Sequence, residues 1–323
     1  ISKNDQLTKI VDANGHETTI KRDKNGLPSE LKLSAGAELV KTKDGWDMVV
    51  DGQHTKYCQE INIDADGTVH HINEIGAISS NHLDGSTTRY LPGDSVGSID
   101  YHKELSTFEQ HLDSIQDPMA AAYIREGMLD TQDRLRKDPA TAEGKIAELL
   151  YDANKLLEAP GKVPLEQRHH WLDQFFSLAA KPEFVSQGSD ATCPLAACEQ
   201  REYALHPETW LRTLRVLNET GAAVNHRGEV IKSFIDSAGN FNIDAARTGT
   251  RPENSFTRVD GQKTEVSEIV QSVLNEVIGM QNGGRKDLFY AEQLEPMMKF
   301  MTGRDEKFVV ANPKDSQDLV RQL

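Results

Sequence analysis

Residues 187–197, Gln-Gly-Ser-Asp-Ala-Thr-Cys-Pro-Leu-Ala-Ala, predict a glycine-containing turn that leads into an α-helix. Pro194 favours a helix start here, because proline suits the first helical position, where its missing N–H would have had no helical partner. Cys193 therefore stands at the positive end of a helix dipole, which lowers the pKa of a thiol. An upstream carboxamide such as that of Gln187 is a suitable donor to the oxyanion of a tetrahedral intermediate. The segment predicts a catalytic nucleophile, Cys193, and an oxyanion donor, Gln187.

A structural interpretation of the same cysteine stands beside the catalytic one. A cysteine near the start of an alanine-rich helix is often a small buried hydrophobic residue. Cys198, five residues further on, lies about 140° round the same helix, and we expect it in the core.

The spacing from Gln187 to Cys193 resembles that of the papain superfamily, in which Gln-Gly-x-Cys-Gly-Ser-Cys places a glutamine six residues before the nucleophile. The resemblance implies a papain-like domain in which Cys193 attacks a peptide carbonyl, while Gln187 and the Cys193 N–H hold the oxyanion. The sequence departs from papain at Asp190 and Ala191, which replace Cys-Gly, and at Pro194, which replaces an aromatic residue.

The last part of the chain resembles the catalytic domain of calpains in the order of its elements. A helix over 294–301 ends in Thr302-Gly303, and a strand is predicted at 308–310 and a helix at 315–323. In calpains a short helix of this kind precedes the strand that bears the catalytic histidine.

The general base is the missing part of this prediction. A cysteine nucleophile needs an imidazole within hydrogen-bond reach, and papain-like enzymes carry it about 130–150 residues downstream. No histidine follows His226, and the chain ends at Leu323. We therefore expect the catalytic histidine on a C-terminal fragment, separated by truncation or autoproteolysis. The start at Ile1, without methionine, is typical of a processed product or excised fragment.

A second arrangement keeps the base inside the chain. The order of Cys193, His226 before a strand and Asp244 on the next strand resembles that of transglutaminase-like enzymes. Their His-Ala-Trp surround is missing, because His226-Arg227-Gly228 is typical of a hairpin turn. His226 is then either the base, oriented by Asp244, or an ordinary exposed turn histidine.

Residues 1–95 predict an antiparallel β domain. Short alternating segments are separated by Asn-Gly and Asp-Gly turns, which supply the positive φ of tight hairpins. An Asp-x-Asp-Gly loop at 64–67 fits turn chemistry better than a calcium site. The regular recurrence of the first turns along the chain resembles the Tyr-Asp repeats of bacterial secreted proteins. The resemblance implies a secreted bacterial protein.

From residue 96 onward the apolar period becomes helical. Residues 96–183 predict a helical subdomain with three amphipathic helices and a fourth over 165–180, and 184–323 form the papain-like domain. Further helices are predicted over 206–218 and from residue 265 to 277, with a hairpin that pairs 229–235 with 240–244. The predicted fold class is α+β.

The composition of the chain limits the classes of molecule that we expect it to bind. The net charge of −15 argues against nucleic acid and anionic membranes, and no apolar run approaches the ~20 residues of a membrane span. Three cysteines make no disulfide framework. No cofactor motif is present, and Cys193, Cys198 and His206 lack the paired spacing of a zinc site. The expected partner is a protein or peptide substrate.

These patterns predict thiol-dependent acyl transfer, with peptide hydrolysis favoured. The alternatives are transglutaminase-like protein cross-linking or deamidation, and a catalytically inert secreted binding or toxin-scaffold module.

Overall fold

The computed structural model describes residues 8–34, 36–84, 86–92, 94, 99–158, 160–185, 193–242, 264–281 and 293–305. The chain divides into two compact units, Ile1–Val96 and Gly97–Leu323. The fold is α+β, as predicted, with antiparallel sheets and eight α-helices in this part of the chain.

The first unit begins with a six-stranded antiparallel meander whose strands follow sequence order. The strands are β1 (Lys9–Val11), β2 (Glu17–Arg22), β3 (Pro28–Leu33), β4 (Glu38–Thr42), β5 (Gly45–Val50) and β6 (Gln53–Cys58). Alternation along the strands brings apolar residues to one face, where Leu31 stands opposite both Ile20 and Leu39. All three are buried. The predicted N-terminal meander is confirmed.

A four-stranded antiparallel sheet completes this unit, in the order β10-β9-β8-β7. Its strands are β7 (Glu60–Ile63), β8 (Val69–Ile72), β9 (Ile78–Asn81) and β10 (Thr87–Tyr90). The Asp64–Gly67 loop is the hairpin turn between β7 and β8. There the Asp64 N–H donates to the Thr68 carbonyl at 3.0 Å, and the Thr68 N–H donates to the Asp66 carboxylate at 2.9 Å. The carboxylate thus stabilises the turn, as the sequence indicated.

The second unit is mainly helical. Its helices are α1 (Tyr101–Ser114), α2 (Pro118–Leu135), α3 (Pro139–Leu157), α4 (Leu165–Ala180), α5 (Cys193–Leu205), α6 (Pro207–Thr220), α7 (Glu265–Gln281) and α8 (Leu294–Thr302). A short 3₁₀ turn, Pro182–Phe184, follows α4. The four predicted helices between 96 and 183 are therefore present. The N-cap carboxylates of Asp100 and Asp117 accept backbone N–H bonds at the starts of α1 and α2.

One hydrophobic core joins helices from both sides of the predicted boundary at residues 183 and 184. Its members include Trp171 and Leu172 of α4, Leu195 of α5, Leu214 of α6, Leu274 of α7 and Met298 of α8. Helix α5 is central in this packing, because it contacts α4, α6 and α7.

A half-buried arginine ties the ends of two of these helices together. The Arg134 guanidinium, on α2, donates to the carbonyls of Ala179 at 2.7 Å, Tyr203 at 2.7 Å and Ala204 at 2.6 Å. These carbonyls lie at the C-terminal ends of α4 and α5, where helical partners are lacking. The C-terminal end of α5 is thereby fixed against α2 and α4.

The small sheet after α6 contains a strand that the sequence did not predict. Strand β12 (Val230–Ser233) pairs with β11 (Ala222–Val224) through the turn at Gly228, which has φ 78°. The predicted hairpin of 229–235 with 240–244 is present at its turn end, where Ile235 bridges Phe241 and the Asn242 N–H donates to the Phe234 carbonyl at 2.7 Å. Residues 243 and 244 lie outside the described residues.

Candidate active site at the start of helix α5

Helix α5 begins at Cys193, where the sequence predicts a helix start. The side chains of Cys193 and Pro194 lie outside the described residues, as do residues 186–192, which include Gln187. The pairing of Gln187 with Cys193 therefore stays a prediction. The helix places the Cys193 backbone at its positive end, the position that favours a thiolate.

The remainder of α5 is a core helix. Leu195, Cys198, Glu199, Glu202 and Tyr203 are all at most 4% exposed. The burial of Cys198 confirms its predicted place in the core. The burial of two glutamates was not predicted, because charged residues on an alanine-rich helix are expected to face solvent.

Glu199 connects α5 to α7 through two short hydrogen bonds. The Ser267 hydroxyl donates to Glu199 Oε1 at 2.7 Å, and the Gln271 amide donates to Glu199 Oε2 at 2.7 Å. A buried carboxylate needs such donors, because its desolvation is costly unless hydrogen bonds compensate for it. This network holds α5 at a fixed height along α7.

Tyr203 lies one helical turn after Glu199 and is fully buried. Its hydroxyl has no hydrogen-bond partner among the described residues. Burial raises the pKa of this phenol well above its usual value, and the nearby Glu199 carboxylate raises it further. Tyr203 is therefore neutral throughout the physiological range.

Glu202 links the end of α5 to the segment after α8. Its Oε2 accepts a bond from the Arg304 guanidinium at 2.8 Å, and Arg304 also donates to the Thr209 hydroxyl of α6 at 3.0 Å. Arg304 thus joins α5 and α6 to the segment after α8, through an ion pair with Glu202 and a hydrogen bond to Thr209. Glu199, Glu202 and Tyr203 share one helical face with Cys198, but the sequence does not mark this face as buried, because two of its residues are glutamates.

His226, the base of the second predicted arrangement, is half-buried in the turn between β11 and β12. Its backbone N–H donates to the Met301 carbonyl at 2.8 Å, and its Nδ1 lies 3.0 Å from the Phe300 carbonyl. A carbonyl only accepts, so Nδ1 carries the proton and Nε2 is the basic nitrogen. His226 is thus a turn histidine that is half-buried rather than exposed, because it packs on the C-terminal turn of α8.

Asp244, the predicted orienting partner of His226, lies outside the described residues. The Phe300 carbonyl already holds the Nδ1 side of the ring. A triad through His226 would therefore use Nε2 toward the thiol, with the carbonyl in place of a carboxylate. The His226–Asp244 pair stays a prediction.

The turn after α8 supports this placement of His226. Gly303 ends α8 in the left-handed region, at φ 74°, so the Thr-Gly helix end is present as predicted. A Cβ at Gly303 would lie 2.8 Å from Cδ2 of His226. Only glycine thus allows the imidazole to pack against this turn.

His206 is the N-cap residue of α6, directly after the end of α5. Its Nδ1 lies 3.2 Å from Glu208 Oε1. Helix α5 has 13 residues, which places His206 about 20 Å from the Cys193 backbone at 1.5 Å per residue. This distance excludes His206 as a direct base for Cys193.

The third cysteine, Cys58 on β6, is buried, and its Sγ donates to the Glu60 carbonyl at 3.4 Å. Burial raises the pKa of this thiol to about 11. Cys58 is therefore unreactive near neutral pH, because the thiolate is the nucleophilic form.

Within the described ranges, no group of three or more His, Cys, Asp and Glu side chains is arranged to hold a metal ion. In the same part of the chain, every helix is too short or too polar to cross a membrane.

Comparisons with family models, with curated proteins and with solved structures found no match for this chain.

Proposed function

We propose that this protein is a thiol-dependent acyl-transfer enzyme, a papain-like cysteine peptidase in which Cys193 attacks a peptide carbonyl. The observation that carries the proposal is the start of a core helix at Cys193. Bonds from Arg134, Ser267 and Gln271 fix the rest of that helix. A rigid helix holds its first residue in a constant position, which a nucleophile requires.

The reaction has two steps. The Cys193 thiolate forms an S–C bond with the substrate carbonyl, and the C–N bond then breaks, so that the amine leaves with a proton from the general acid. Water next attacks the thioester with help from the base, and the carboxylate product leaves as the thiol is restored. Gln187 and the Cys193 N–H would hold the oxyanion in both steps.

Thiol alkylation at pH 6 tests the activation of Cys193. Iodoacetamide should label Cys193 faster than it labels N-acetylcysteine, because a helix N-terminus increases the thiolate fraction. Mass spectrometry of peptides assigns the label to its residue. Cys58 and Cys198 serve as internal references, since both are buried.

The control is Cys193→Ser, which should remove the rapid phase and leave the references unlabelled. A Cys193 that reacts no faster than N-acetylcysteine would exclude an activated thiol and favour the inert scaffold.

A turnover assay separates the classes of acyl transfer. Casein incubated with the protein and dansylcadaverine should be cleaved if the enzyme is a peptidase, whereas amine incorporation without cleavage would indicate transglutaminase chemistry. Gln187→Ala should slow turnover by about 10²–10³-fold and leave Cys193 alkylation unchanged. His226→Gln should abolish turnover if His226 is the general base, whereas unchanged turnover would exclude a triad through His226.

A further inference from the structure

A cavity of about 560 Å³ lies in the second unit, at the place where α1 and α3 end and α4 begins. Cavities that hold small molecules have volumes of about 300–1,000 Å³. The described residues of α5 contribute nothing to its lining. The cavity is therefore large enough for a small ligand, and it can be considered apart from the helix that begins at Cys193.

Helical spacing brings lining residues of α1 and α4 to one side of each helix. His111 and Ser114 stand at i and i+3 near the end of α1, and the C-cap residue Ile115 stands at i+4. Leu165 and His169 stand at i and i+4 in the first turns of α4. Residues at these separations are neighbours on a helix surface, so each helix presents one face to the cavity.

Three aliphatic residues form the apolar part of the wall. Leu157 is buried in the core of this unit, and Ile115 is half-buried and packs against that core. Leu165 is 46% exposed, so a ligand can reach its side chain. Covering Leu165 with an apolar group removes hydrocarbon surface from water, which is favourable. The wall therefore suits a ligand that has an apolar part.

The charged residues of the wall are both acidic. Asp117 and Glu166 line the cavity, and no lysine or arginine does so in the described part of the chain. Both residues are exposed, so a ligand that enters from solvent reaches their carboxylates. Asp117 Oδ1 accepts the Met119 N–H at 2.9 Å, whereas Glu166 makes no hydrogen bond or ion pair with other described residues. The wall thus favours a ligand with a positive group.

His169 adds a hydrogen-bond acceptor to this wall. Burial lowers the pKa of its imidazole, the charges of Arg168 and His170 lower it further, and the Glu166 carboxylate acts in the opposite direction. The ring is therefore neutral near pH 7, and one of its nitrogens is an acceptor. Its side chain makes no hydrogen bond or ion pair with the rest of the described chain. An N–H donor on a ligand fits this nitrogen as well as the carboxylates.

These acceptors are not arranged as a metal site. Within the described residues, no three or more His, Cys, Asp and Glu side chains are grouped so as to hold a metal ion. An ammonium group has three N–H donors and needs only hydrogen-bond acceptors. An organic ammonium ion therefore fits the wall better than a metal ion does.

We propose that this cavity binds a primary organic amine in its ammonium form. The ammonium group pairs with the carboxylates of Asp117 and Glu166, and the apolar chain of the amine lies on Ile115 and Leu165. The site lies in the second unit and does not depend on the chemistry at Cys193.

Three probes of similar size test the proposal on the full chain. 3-Phenylpropylamine is a cation at pH 8, because alkylammonium groups have a pKa of about 10. 3-Phenylpropan-1-ol has nearly the same shape without a charge, and 3-phenylpropanoate is an anion. Saturation-transfer NMR titrations at low ionic strength give the dissociation constants. We expect the amine to bind about three- to tenfold more tightly than the alcohol, the range that exposed ion pairs provide, and the anion to bind most weakly.

Two substitutions remove the charges without removing the side chains. Glu166→Gln should reduce the preference for the amine over the alcohol, because one carboxylate is lost. Asp117→Asn should also reduce it and should leave α2 in place, since asparagine caps helices as well as aspartate does. The double variant should bind the amine and the alcohol equally. Both positions are exposed, so we expect all three variants to fold.

Glu143→Gln is the matched control. Glu143 is an exposed residue of α3 that does not line the cavity. It stands 14 residues before Leu157 on the same helix, which is about 21 Å at 1.5 Å per residue. The substitution removes the same charge from the chain, and the wild-type preference for the amine should persist.

Three results would overturn the proposal. The first is that no probe binds the wild-type protein, so that the cavity holds only solvent. The second is that the alcohol or the anion binds the wild-type protein as tightly as the amine. The third is an undiminished preference for the amine in the folded double variant, which would place the bound amine somewhere other than Asp117 and Glu166.

Discussion

His71 shows how one residue can make stability depend on pH. Burial lowers its pKa from 6.5 to about 4, and the nearby charge of His70 contributes to the same shift. Below pH 6.5 the unfolded chain therefore binds a proton that the folded chain does not bind. The free energy of unfolding of the first unit should fall as the pH decreases from about 6.5 to 4.

This effect has a measurable size. At pH 5 the His71 contribution should lower the free energy of unfolding by about 2 kcal/mol relative to pH 7. Urea unfolding followed by ¹⁹F NMR of 5-fluorotryptophan at Trp46, the buried indole of this unit, gives the value. His71→Leu should show a correspondingly flatter pH profile, whereas above pH 7 the two profiles should run parallel. Equal slopes between pH 4.5 and 6.5 would contradict the assignment.

At the scale of elements, the contact between α5 and α7 depends on which helix carries the carboxylate. Glu199→Gln should cost about 1–3 kcal/mol, because an amide replaces one of the two acceptor oxygens with a donor that faces Gln271. Gln271→Glu should also destabilise the protein, since two carboxylates would then meet in the core.

The double variant Glu199→Gln with Gln271→Glu tests this arrangement. It exchanges the amide and the carboxylate between the helices, so the hydrogen bond between them can form again in the opposite direction. A double-mutant cycle from urea unfolding should give a favourable coupling of about 1–3 kcal/mol. The exposed pair Lys155 and Glu158 is the control, and its exchange should change stability by less than 1 kcal/mol, the range for surface pairs. Additive costs at positions 199 and 271 would show that these side chains do not bind each other.

The sequence predicts an element well where one physical effect dominates. Helix α4 spans Leu165–Ala180, as predicted, because Trp171, Leu172, Phe175 and Phe176 recur at helical spacing and are all buried. Strand β11 was missed, because Ala222–Val224 is only three residues long and alanine is depleted in strands. Its pairing with β12 occupies the edge opposite the segment that bridges at Phe241, and no local pattern specifies this second partner.

The candidate site was predictable in part for the same reason. Pro194 predicts the helix start at Cys193, because the preference of proline for the first helical position depends only on local sequence. The burial of Glu199 and Glu202 depends instead on Ser267, Gln271 and Arg304, which are distant in sequence. The residue pattern of α5 does not predict these hydrogen-bond donors. Its glutamates would instead indicate a solvent-exposed helix.

At the scale of the whole molecule, stability comes from two hydrophobic clusters that share no residue. The first unit packs Leu31 and Trp46 in a cluster of strand residues, and the second packs Leu172 with Trp171 and Trp210 among the helices. Each unit thus has its own core, which is the property of a domain that can fold as a unit. Unfolding of the full chain should then proceed in more than one transition.

Matched truncations test this division. Leu31→Ala and Leu172→Ala each remove the same atoms from a side chain that is at most 1% exposed, and each should cost about 2–5 kcal/mol. In ¹⁹F NMR of the 5-fluorotryptophan protein, Leu31→Ala should lower the urea midpoint at Trp46, whereas Leu172→Ala should lower it at Trp171 and Trp210. The midpoint of the other unit should stay at its wild-type value in each case, because its own core is intact. If either substitution shifted all three resonances equally, the two clusters would belong to one cooperative structure. Loss of the first unit would then unfold the helix that begins at Cys193 as well.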